Sequence, residues 1–472
     1  MTSAEKSQRS ARTIVQQIAA RAHEFDAQSV PAEVALQTRF LILDSIGCAL
    51  AAVGEHANER ALRTFLSLGG NPDCTVIGFP HRLPVTSAVM VNGISIRELD
   101  LNDAYIGPGQ LGHPSDNIAV ALTVGEKQRA SGREVIAAVA AGYELYCRIQ
   151  DVTNSRGPWD HVTASAAAAP VIAGRLMKLN SDQLAHAMAL SIAQGNTLSA
   201  VRGGQLSNAK AMANAFVAHQ ATLCALLASQ GATGPMEVFE GKRGLCDALL
   251  AGSDLALLME PIAGHFRITD VSIKAYPCIG TAQAMVAAAL EARSGIGDPG
   301  NEIDSLEIRM ADTPFVRGQV DDEHRRYPNS RETADHSFYY LAAAALIDGE
   351  LTEAQFEDER WTRPAAKALM ERMTIRTDPE LNVYTPGSFP SVLQLKTKKG
   401  ESRTVEVFYP KGHPKNRMSA AEVEEKFRGC ARKLLSEAQQ SKIISLVNNL
   451  DGLGDAGELM KELAVDQKSM RY

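Results

Sequence analysis

The chain is 472 residues long, which predicts more than one domain, because a single hydrophobic core rarely grows beyond about 250–300 residues. Apolar residues make up 45% of the sequence and aromatic residues 5%, so we expect a globular protein packed largely from small and aliphatic side chains. The net charge of -7 argues against a nucleic-acid partner, since binding to a phosphate backbone needs a positive field.

The cysteines and the apolar stretches predict the compartment. The 7 cysteines are scattered without a Cys-x-x-Cys pair, which is typical of a reduced compartment. The opening MTSAEKSQRSARTIVQQ has no apolar stretch of the kind found in signal peptides, and no segment reaches the ~18 uninterrupted apolar residues of a membrane span. We therefore expect a cytoplasmic protein with no membrane partner.

From about residue 10 to 265, apolar residues recur at steps of three and four, and Gly, Pro, Asn or Asp stand at the joins. This pattern predicts a succession of helices, among them EVALQTRFLILDSIGCALAAV and SNAKAMANAFVAHQATLCALLASQG. Several of these segments are apolar nearly all round, which predicts burial within a large bundle.

The pattern changes after residue 266. Five segments alternate like half-buried strands: RITDVSIKAYP, EIDSLEIRMAD, MTIRTD, SVLQLKTKKG and RTVEVFYP. Helical stretches lie between them at about 279–294, 333–347 and 361–371, so the sequence predicts a smaller α+β domain over about 267–410. Helical patterns return at about 419–463, which would allow the C-terminus to rejoin the first domain.

The stretch LGHPSDNIAVAL places His113 at the start of a predicted helix. Pro114 suits a first helical position, and Ser115, Asp116 and Asn117 are cap-forming residues. The positive end of a helix disfavours an imidazolium and attracts anions, so a neutral base could lie there beside a bound carboxylate. The alternative is a loop histidine that only precedes a helix cap.

The stretch RELDLNDAY places Asp100, Asn102 and Asp103 at a predicted helix C-terminus, where the helix dipole disfavours carboxylates. Asn102 or Asp103 could start a turn, or Asp100 could orient His113 or another proton donor. A metal site is the third possibility. We expect no metal, because D-x-N-D lacks the ligand spacing of a calcium loop.

Two lysines are also predicted near helix starts. Ser207 is a candidate N-cap, which puts Lys210 in a first turn, where an anionic ligand would offset its charge. The alternative is a solvated lysine. Lys274 is predicted on a strand that breaks at Pro277 before a helix, where it could bind an anion or protect a sheet edge.

His161 and His336 also precede predicted helices. A structural role is the default for each histidine taken alone. Together with His113 and Lys210 they occupy the same unusual position relative to a helix, which suggests a common site.

The order of these motifs resembles that of the MmgE/PrpD family across about residues 10–450. The matching stretches are RFLILDSIGCALAA, VNGISIRELDLNDAY, LGHPSDNIAVAL, LSNAKAMANAF, IKAYPCIGTAQA and HSFYYLAAAALIDGELTEAQF. The family includes 2-methylcitrate dehydratase, cis-aconitate decarboxylase and iminodisuccinate epimerase. The resemblance implies a mainly α fold, with a large all-helical domain formed by both chain ends (1–266 and 411–472) and a smaller α+β lid domain (267–410).

The resemblance also implies a homodimer, a pocket between the domains, a small di- or tricarboxylate substrate, and chemistry without a metal or an organic cofactor. Carried over by position, the catalytic residues are Asp100, His113, His161, Lys210 and Lys274. We add Asp103, Ser115, Ser207 and His336 as predicted substrate-binding residues.

The predicted reaction is dehydration of a 2-methylcitrate-like hydroxy acid by removal of the proton α to a carboxylate, with decarboxylation, epimerisation or simple carboxylate binding as alternatives. Two departures from the decarboxylase-like members argue against decarboxylation. Ala104 stands where those members have a threonine, and Phe315 is the residue nearest to the position of their lid tyrosine.

Overall fold

The computed structural model describes residues 12–108, 111–153 and 157–465. Helices account for 58% of the chain and strands for 9%, which confirms the predicted mainly α fold. None of the 7 cysteines, all of which lie in the described ranges, forms a disulfide.

Long helices form the chain up to about residue 230, as the three- and four-residue periodicity predicts. Their bounds are Ile14–Glu24, Ala32–Ala51, His56–Leu68, Val85–Arg97, Ile118–Gln128, Gly132–Val152, Ser165–Leu176, Ser181–Gln194 and Ala209–Ser229. Capping boxes begin several of them. At the start of Gly132–Val152, for example, the Ser131 hydroxyl accepts a hydrogen bond from the Glu134 amide.

Short elements fill the joins between these helices. Strands β1 (Cys74–Thr75) and β2 (Arg82–Leu83) pair antiparallel, and so do β3 (Tyr105–Ile106) and β4 (Leu111–Gly112). Single helical turns follow at Leu245–Ala248 and Ala256–Met259. The β3–β4 pair leads directly into His113, so it sets the position of that residue at the start of the next helix.

The helices Ala32–Ala51 and Ala209–Ser229 are long and apolar enough, by length and composition alone, to cross a membrane. In each, most of the apolar window is buried inside the protein: 72% in the first helix and 61% in the second. Core helices of soluble proteins pass the same test, so these two helices give weak support for a span. The absence of a membrane partner stays a prediction.

A four-stranded sheet organises the segment after residue 300. It consists of β5 (Ile303–Ala311), β6 (Met373–Asp378), β7 (Ser391–Thr397) and β8 (Ser402–Val407), in the order β6-β5-β7-β8. Strand β5 runs parallel to β6 and antiparallel to β7, which is antiparallel to β8. The helices of this segment are Gln283–Ala292, Pro299–Glu302, Pro314–Val320, Glu323–Arg326, Arg331–Ala334, Phe338–Asp348 and Pro364–Glu371.

The buried apolar side chains fall mainly into two cores. The first extends from Val15 to Ile273 and again from Val423 to Val465, so both ends of the chain contribute to it. The C-terminal helices Ala420–Ala431, Glu437–Asn448 and Gly457–Glu462 belong to this core. The second core extends from Cys278 to Val405. The domain boundaries at 266/267 and 410/411 stay a prediction, which the division into these cores supports.

One predicted strand is wrong. RITDVSIKAYP begins with a 3-10 turn, Arg267–Asp270, and then runs extended without joining the sheet. Ser272 makes an isolated bridge with Ala104, and the Ile273 amide donates to the Gly412 carbonyl over 3.1 Å. The backbone groups of this segment are therefore satisfied by distant loops, and Lys274 is buried rather than on a sheet edge.

Candidate active site

A cavity of about 260 Å³ lies between the two cores. Both parts of the chain contribute to its wall, which includes Arg97, Asp100, His113, Trp159, Asp160, His161, Arg202, Ile279, Phe315, Gln319, Arg325 and His336. A larger open groove of about 1080 Å³ lies on the C-terminal helices between Glu425 and Ser441, but none of the predicted site residues lines it. The cavity between the cores is therefore the candidate site.

His113 begins a 3-10 turn, Pro114–Asn117, which continues into the helix Ile118–Gln128. Its Nδ1 lies 2.6 Å from the Asp103 carbonyl oxygen. Because a carbonyl oxygen only accepts hydrogen bonds, this contact places the proton on Nδ1 and leaves the Nε2 lone pair available. Burial, together with the positive charges of Arg97 and Lys274, holds the pKa of His113 well below its usual value, so the ring is neutral.

His161 lies beside His113, with ring centres 5.2 Å apart. Its Nδ1 is 3.1 Å from the Tyr146 hydroxyl, which also accepts a hydrogen bond from the His113 amide over 3.1 Å. The Nε2 atom lies 3.6 Å from a carboxylate oxygen of Asp160. Tyr146 therefore joins the two histidines on one side, and Asp160, which also pairs with Arg202, places a carboxylate beside His161.

Asp100 lies at the centre of a buried ionic cluster. Arg97 Nη1 donates to Asp100 Oδ1 over 2.7 Å, Lys210 Nζ lies 3.1 Å from Oδ2, and Lys274 Nζ donates to both the carboxylate and the carbonyl oxygen. Burial alone would raise the pKa of Asp100, but these three cations hold it well below its usual value. Asp100 is therefore an anion at every pH at which the protein would work.

The backbone of Asp100 adopts φ 51°, the left-handed conformation that non-glycine residues rarely adopt. A conformation of this kind persists where surrounding contacts hold it, and three cations hold the Asp100 carboxylate. Asp100 does not hydrogen-bond His113 among the described residues. The prediction that Asp100 orients His113 is wrong, because the Asp103 carbonyl holds that ring. The alternative, that Asp100 orients another proton donor, stays a prediction, and His336 Nε2 lies 3.4 Å from its carboxylate.

Asp335 and His336 complete the cluster from the second core. Lys210 Nζ donates to both Asp335 carboxylate oxygens over 2.9 Å, and His336 Nε2 lies 3.4 Å from Asp100 Oδ2. Burial and the charge of Lys210 lower the pKa of His336 to about 3. Ligand atoms of Asp100, Asp335 and His336 lie within 4.8 Å of one another, but the two lysine ammonium groups already supply the positive charge there.

Comparison with known sequences identifies the family. The MmgE/PrpD N-terminal domain matches residues 16–258, and the MmgE/PrpD C-terminal domain matches residues 276–452. The chain belongs to the MmgE/PrpD family.

Curated members of the MmgE/PrpD family align over most of the chain. Cis-aconitate decarboxylase of Mus musculus is 24% identical over 476 residues, covering 96% of this chain and 93% of that protein. The 2-methylcitrate dehydratase of Cupriavidus necator is 26% identical over 428 residues, covering 86% and 88%. Cis-aconitate decarboxylase of Aspergillus terreus is 25% identical over 466 residues, covering 93% and 94%. These relatives are lyases.

The residues predicted from the MmgE/PrpD resemblance fall into two groups. Asp100, His113, His161 and His336 line the cavity. Lys210 and Lys274 do not line it, because both ammonium groups lie behind its wall in the ionic cluster. The anion that offsets the Lys210 charge is thus a pair of carboxylates within the protein.

Three predicted substrate-binding residues lie away from the cavity wall. Asp103 and Ser115 are buried against each other, with the Ser115 hydroxyl donating to Asp103 Oδ1 over 2.6 Å. Ser207 is exposed, and the residue at the N-cap is Asn208, so the predicted Ser207 cap is wrong. These three residues stand close in sequence to predicted catalytic residues, but their side chains do not line the cavity.

Several cavity residues were missed in the sequence. Arg97 could have been found, because it stands three residues before Asp100 at the end of one helix, a spacing that allows an ion pair. Arg325 also stands three residues from a carboxylate, that of Asp322, whereas Arg202 and Gln319 give no such local signal. Of the two departures from the decarboxylase-like members, Phe315 lines the cavity, whereas Ala104 is buried outside it.

Proposed function

We propose that the protein is a cofactor-independent lyase that dehydrates a small 2-methylcitrate-like hydroxy acid. The observation that most directly supports this is the neutral His113, whose Nδ1 is held by the Asp103 carbonyl on the wall of an arginine-lined cavity. Members of the family named 2-methylcitrate dehydratase agree with this proposal. A cavity of about 260 Å³ suits a small acid, since sites for drug-sized ligands begin near ~300 Å³.

His113 acts as the base. Its Nε2 lone pair takes the proton from the carbon α to a substrate carboxylate, and the electron pair of that C–H bond forms the new double bond. The low pKa of His113 keeps the ring unprotonated before the reaction. The Asp103 carbonyl fixes the tautomer in the way that a carboxylate does in triad-type sites.

His161 acts as the acid. The Asp160 carboxylate, 3.6 Å from Nε2, stabilises a positive charge on His161, whereas Arg97 and Lys274 outweigh Asp100 among the charges that act on His113. Two histidines in such different surroundings take opposite roles. The His161 proton combines with the departing hydroxide, so that one water molecule leaves and the substrate loses one C–H and one C–O bond.

The cations around Asp100 stabilise the negative charge that develops on the substrate carboxylate. Arg97 lines the cavity directly, while Lys210 and Lys274 act from behind Asp100. In a buried site such fixed charges stabilise a transition state more strongly than they would in water. The lysines are therefore positioning residues, and we expect neither a metal nor an organic cofactor.

The decisive variant is His113→Ala. Loss of a placed proton-transfer group should lower kcat about 10²-fold or more in assays with a panel of citrate-like acids. His219→Ala is the matched control, because His219 Nδ1 also contacts a backbone carbonyl, that of Thr86 at 3.0 Å, but lies outside the cavity. Equal rates for wild type and folded His113→Ala would contradict the proposed role.

Decarboxylation remains the second candidate, since some relatives are named cis-aconitate decarboxylase. An epimerase would instead exchange a proton without releasing water or CO₂. A carboxylate-binding protein would bind citrate-like acids tightly without turnover, although binding alone needs no positioned base. The dehydratase proposal takes precedence because Phe315 offers no hydroxyl to the cavity.

A further inference from the structure

Arg325 differs from the other arginines on the cavity wall. Arg97 is paired with Asp100 at 2.7 Å, and Arg202 is paired with Asp160 at 3.0 Å. The Arg325 side chain is only 2% exposed, yet its Nε and Nη1 atoms have no hydrogen-bond partner among the described residues. Its nearest carboxylate, that of Asp322, lies 3.6 Å from Nε.

Asp322 is already engaged elsewhere. Its Oδ1 accepts a hydrogen bond from the His324 amide over 2.9 Å and so caps the helical turn Glu323–Arg326. The remaining contact of Arg325 is the Nη2 hydrogen bond to the Arg202 carbonyl, at 2.9 Å. This hydrogen bond joins Arg325, in the segment of the second core, to Arg202, in the segment of the first. The guanidinium therefore lies at the boundary between the two cores.

An unpaired guanidinium inside a protein is energetically unfavourable. Moving a charged group out of water costs several kcal/mol unless an opposite charge or hydrogen bonds replace the lost hydration. Burial accordingly lowers the pKa of Arg325. Burial would also lower the pKa of Arg97, but the carboxylates of Asp100 and Asp116 raise it instead. Arg325 is thus a buried cation at the cavity with unused donors.

A second polar group from the same segment is also unsatisfied. Gln319 follows Phe315 by one helical turn on Pro314–Val320, lines the cavity, and has a buried Oε1 without a hydrogen-bond partner among the described residues. Its amide group can both donate and accept. Residues 315–325 therefore present Arg325 and Gln319 to the same cavity.

We infer that Arg325 is a recognition site for a second carboxylate of the substrate, one that takes no part in the bond breaking. The inference rests on the proposed function for the substrate class, but it concerns binding rather than proton transfer. The carboxylate oxygens accept hydrogen bonds from the unused N–H groups of Arg325, while its Nη2 keeps the hydrogen bond to the Arg202 carbonyl in the first core. A monocarboxylate would leave the guanidinium unpaired and would be rejected for that reason.

Binding of tricarballylate tests this site without turnover, because this triacid has no hydroxyl group to eliminate. Its affinity is measured by calorimetry beside that of its monoamide, in which one terminal carboxylate is an uncharged amide. Wild type should prefer the triacid about tenfold or more, because hydrogen bonds to a charged group are worth about 1.5–3 kcal/mol. Arg325→Gln should weaken triacid binding by at least about tenfold and reduce the preference to below about threefold.

Arg326→Gln is the matched control, because Arg326 lies on the same helical turn but contacts the Tyr339 ring instead of the cavity. It should behave as wild type. Arg325→Lys should lose at least about threefold of the preference, since one ammonium cannot replace the guanidinium fork. If Arg325→Gln does not fold, an unchanged preference in Arg325→Lys overturns the inference.

The outcomes separate this inference from the proposed function. A wild-type preference retained in folded Arg325→Gln overturns the carboxylate site, and so does equal weakening of both ligands, which would indicate a purely structural arginine. Failure of wild type to bind tricarballylate also overturns it. A third outcome is that wild type binds tricarballylate, Arg325→Gln loses the preference for the triacid, and no citrate-like acid is turned over. This outcome supports the carboxylate site and contradicts the proposed lyase activity.

Discussion

His113 and His161 lie with ring centres 5.2 Å apart but differ in their charged neighbours. Burial and the charges of Arg97 and Lys274 lower the pKa of His113 against a smaller opposite effect of Asp100, whereas the carboxylate of Asp160, which also pairs with Arg202, lies 3.6 Å from His161. In the proposed mechanism this difference assigns the base to His113 and the acid to His161. The same contacts explain why both rings need burial, since water would screen these charges.

Much of the site could be predicted at this scale, but the partners of each residue could not. Local motifs at the starts and ends of predicted helices indicate Asp100, His113 and His161. The Lys210–Asp335 pair joins residues 125 positions apart, and nothing in either local sequence indicates it. The hydrogen bond from His113 to a backbone carbonyl was equally invisible, because backbone acceptors are present at every position.

Asp103 should make stability depend on pH. Burial raises its pKa from 3.8 to about 7, despite hydrogen bonds from Ser115 and Tyr143. The folded state therefore binds a proton that the unfolded state has lost, so this stabilisation is complete below about pH 4 and is lost as the pH rises to about 7.

The Asp103→Asn variant cannot lose that proton. Relative to this variant, wild type should lose stability by up to about 1.4 kcal/mol per pH unit between pH 4 and 7, and the difference should level off above pH 7. Urea unfolding at a series of pH values measures both proteins. A difference that does not change with pH would show that Asp103 is ionised throughout.

At the scale of elements, the periodicity predicted the helices well because each helix buries an apolar face that is visible in its own sequence. The segment RITDVSIKAYP failed for the opposite reason. It alternates like a strand, but its backbone partners are Ala104 and Gly412, which stand in loops far along the chain. Alternation predicts an extended backbone, whereas membership of a sheet depends on partners elsewhere in the chain.

Gly132 marks one close contact between the C-terminal segment and the earlier helices of the first core. Its amide donates to the Leu453 carbonyl over 2.9 Å, and a Cβ at this position would lie 1.7 Å from the Leu450 carbonyl oxygen. Gly132→Ala should therefore destabilise the protein by about 3 kcal/mol, because backbone atoms cannot move aside cheaply. The shift of the urea midpoint measures this effect.

Gly429→Ala is the control for that substitution. Gly429 lies in the helix Ala420–Ala431 with open space where a Cβ would be, so alanine should stabilise the helix by up to about 1 kcal/mol. Effects of the same sign for both variants would mean that the close approach at Gly132 does not determine how the C-terminal helices attach.

At the scale of the whole molecule, we expect a homodimer. Phe216, Leu223 and Leu227 lie on one face of the helix Ala209–Ser229 and are 59%, 43% and 45% exposed. Apolar side chains that recur on one exposed face are typical of an interface. We predict that a second copy of the chain covers this face.

Phe216→Glu should convert the dimer into a monomer, because a dimer interface would bury the new carboxylate without a partner. Sedimentation equilibrium measures the mass of each species. Val383→Glu is the control, since Val383 is 80% exposed but lies in the segment of the second core. A wild-type monomer, or a dimer that survives Phe216→Glu, would exclude this face as the interface.

The central claim is that His113, in the cavity between the cores, removes a proton α to a carboxylate. The most direct test is to follow 2-methylcitrate with the protein in D₂O by proton NMR. Dehydration converts the methyl doublet of the substrate into the singlet of a methyl group on a double bond. We predict this conversion with wild type and His219→Ala and its loss, by about 10²-fold or more, with His113→Ala. Deuterium exchange by wild type without loss of water would leave the proton removal standing but contradict dehydration. Conversion at the wild-type rate by folded His113→Ala would contradict the central claim.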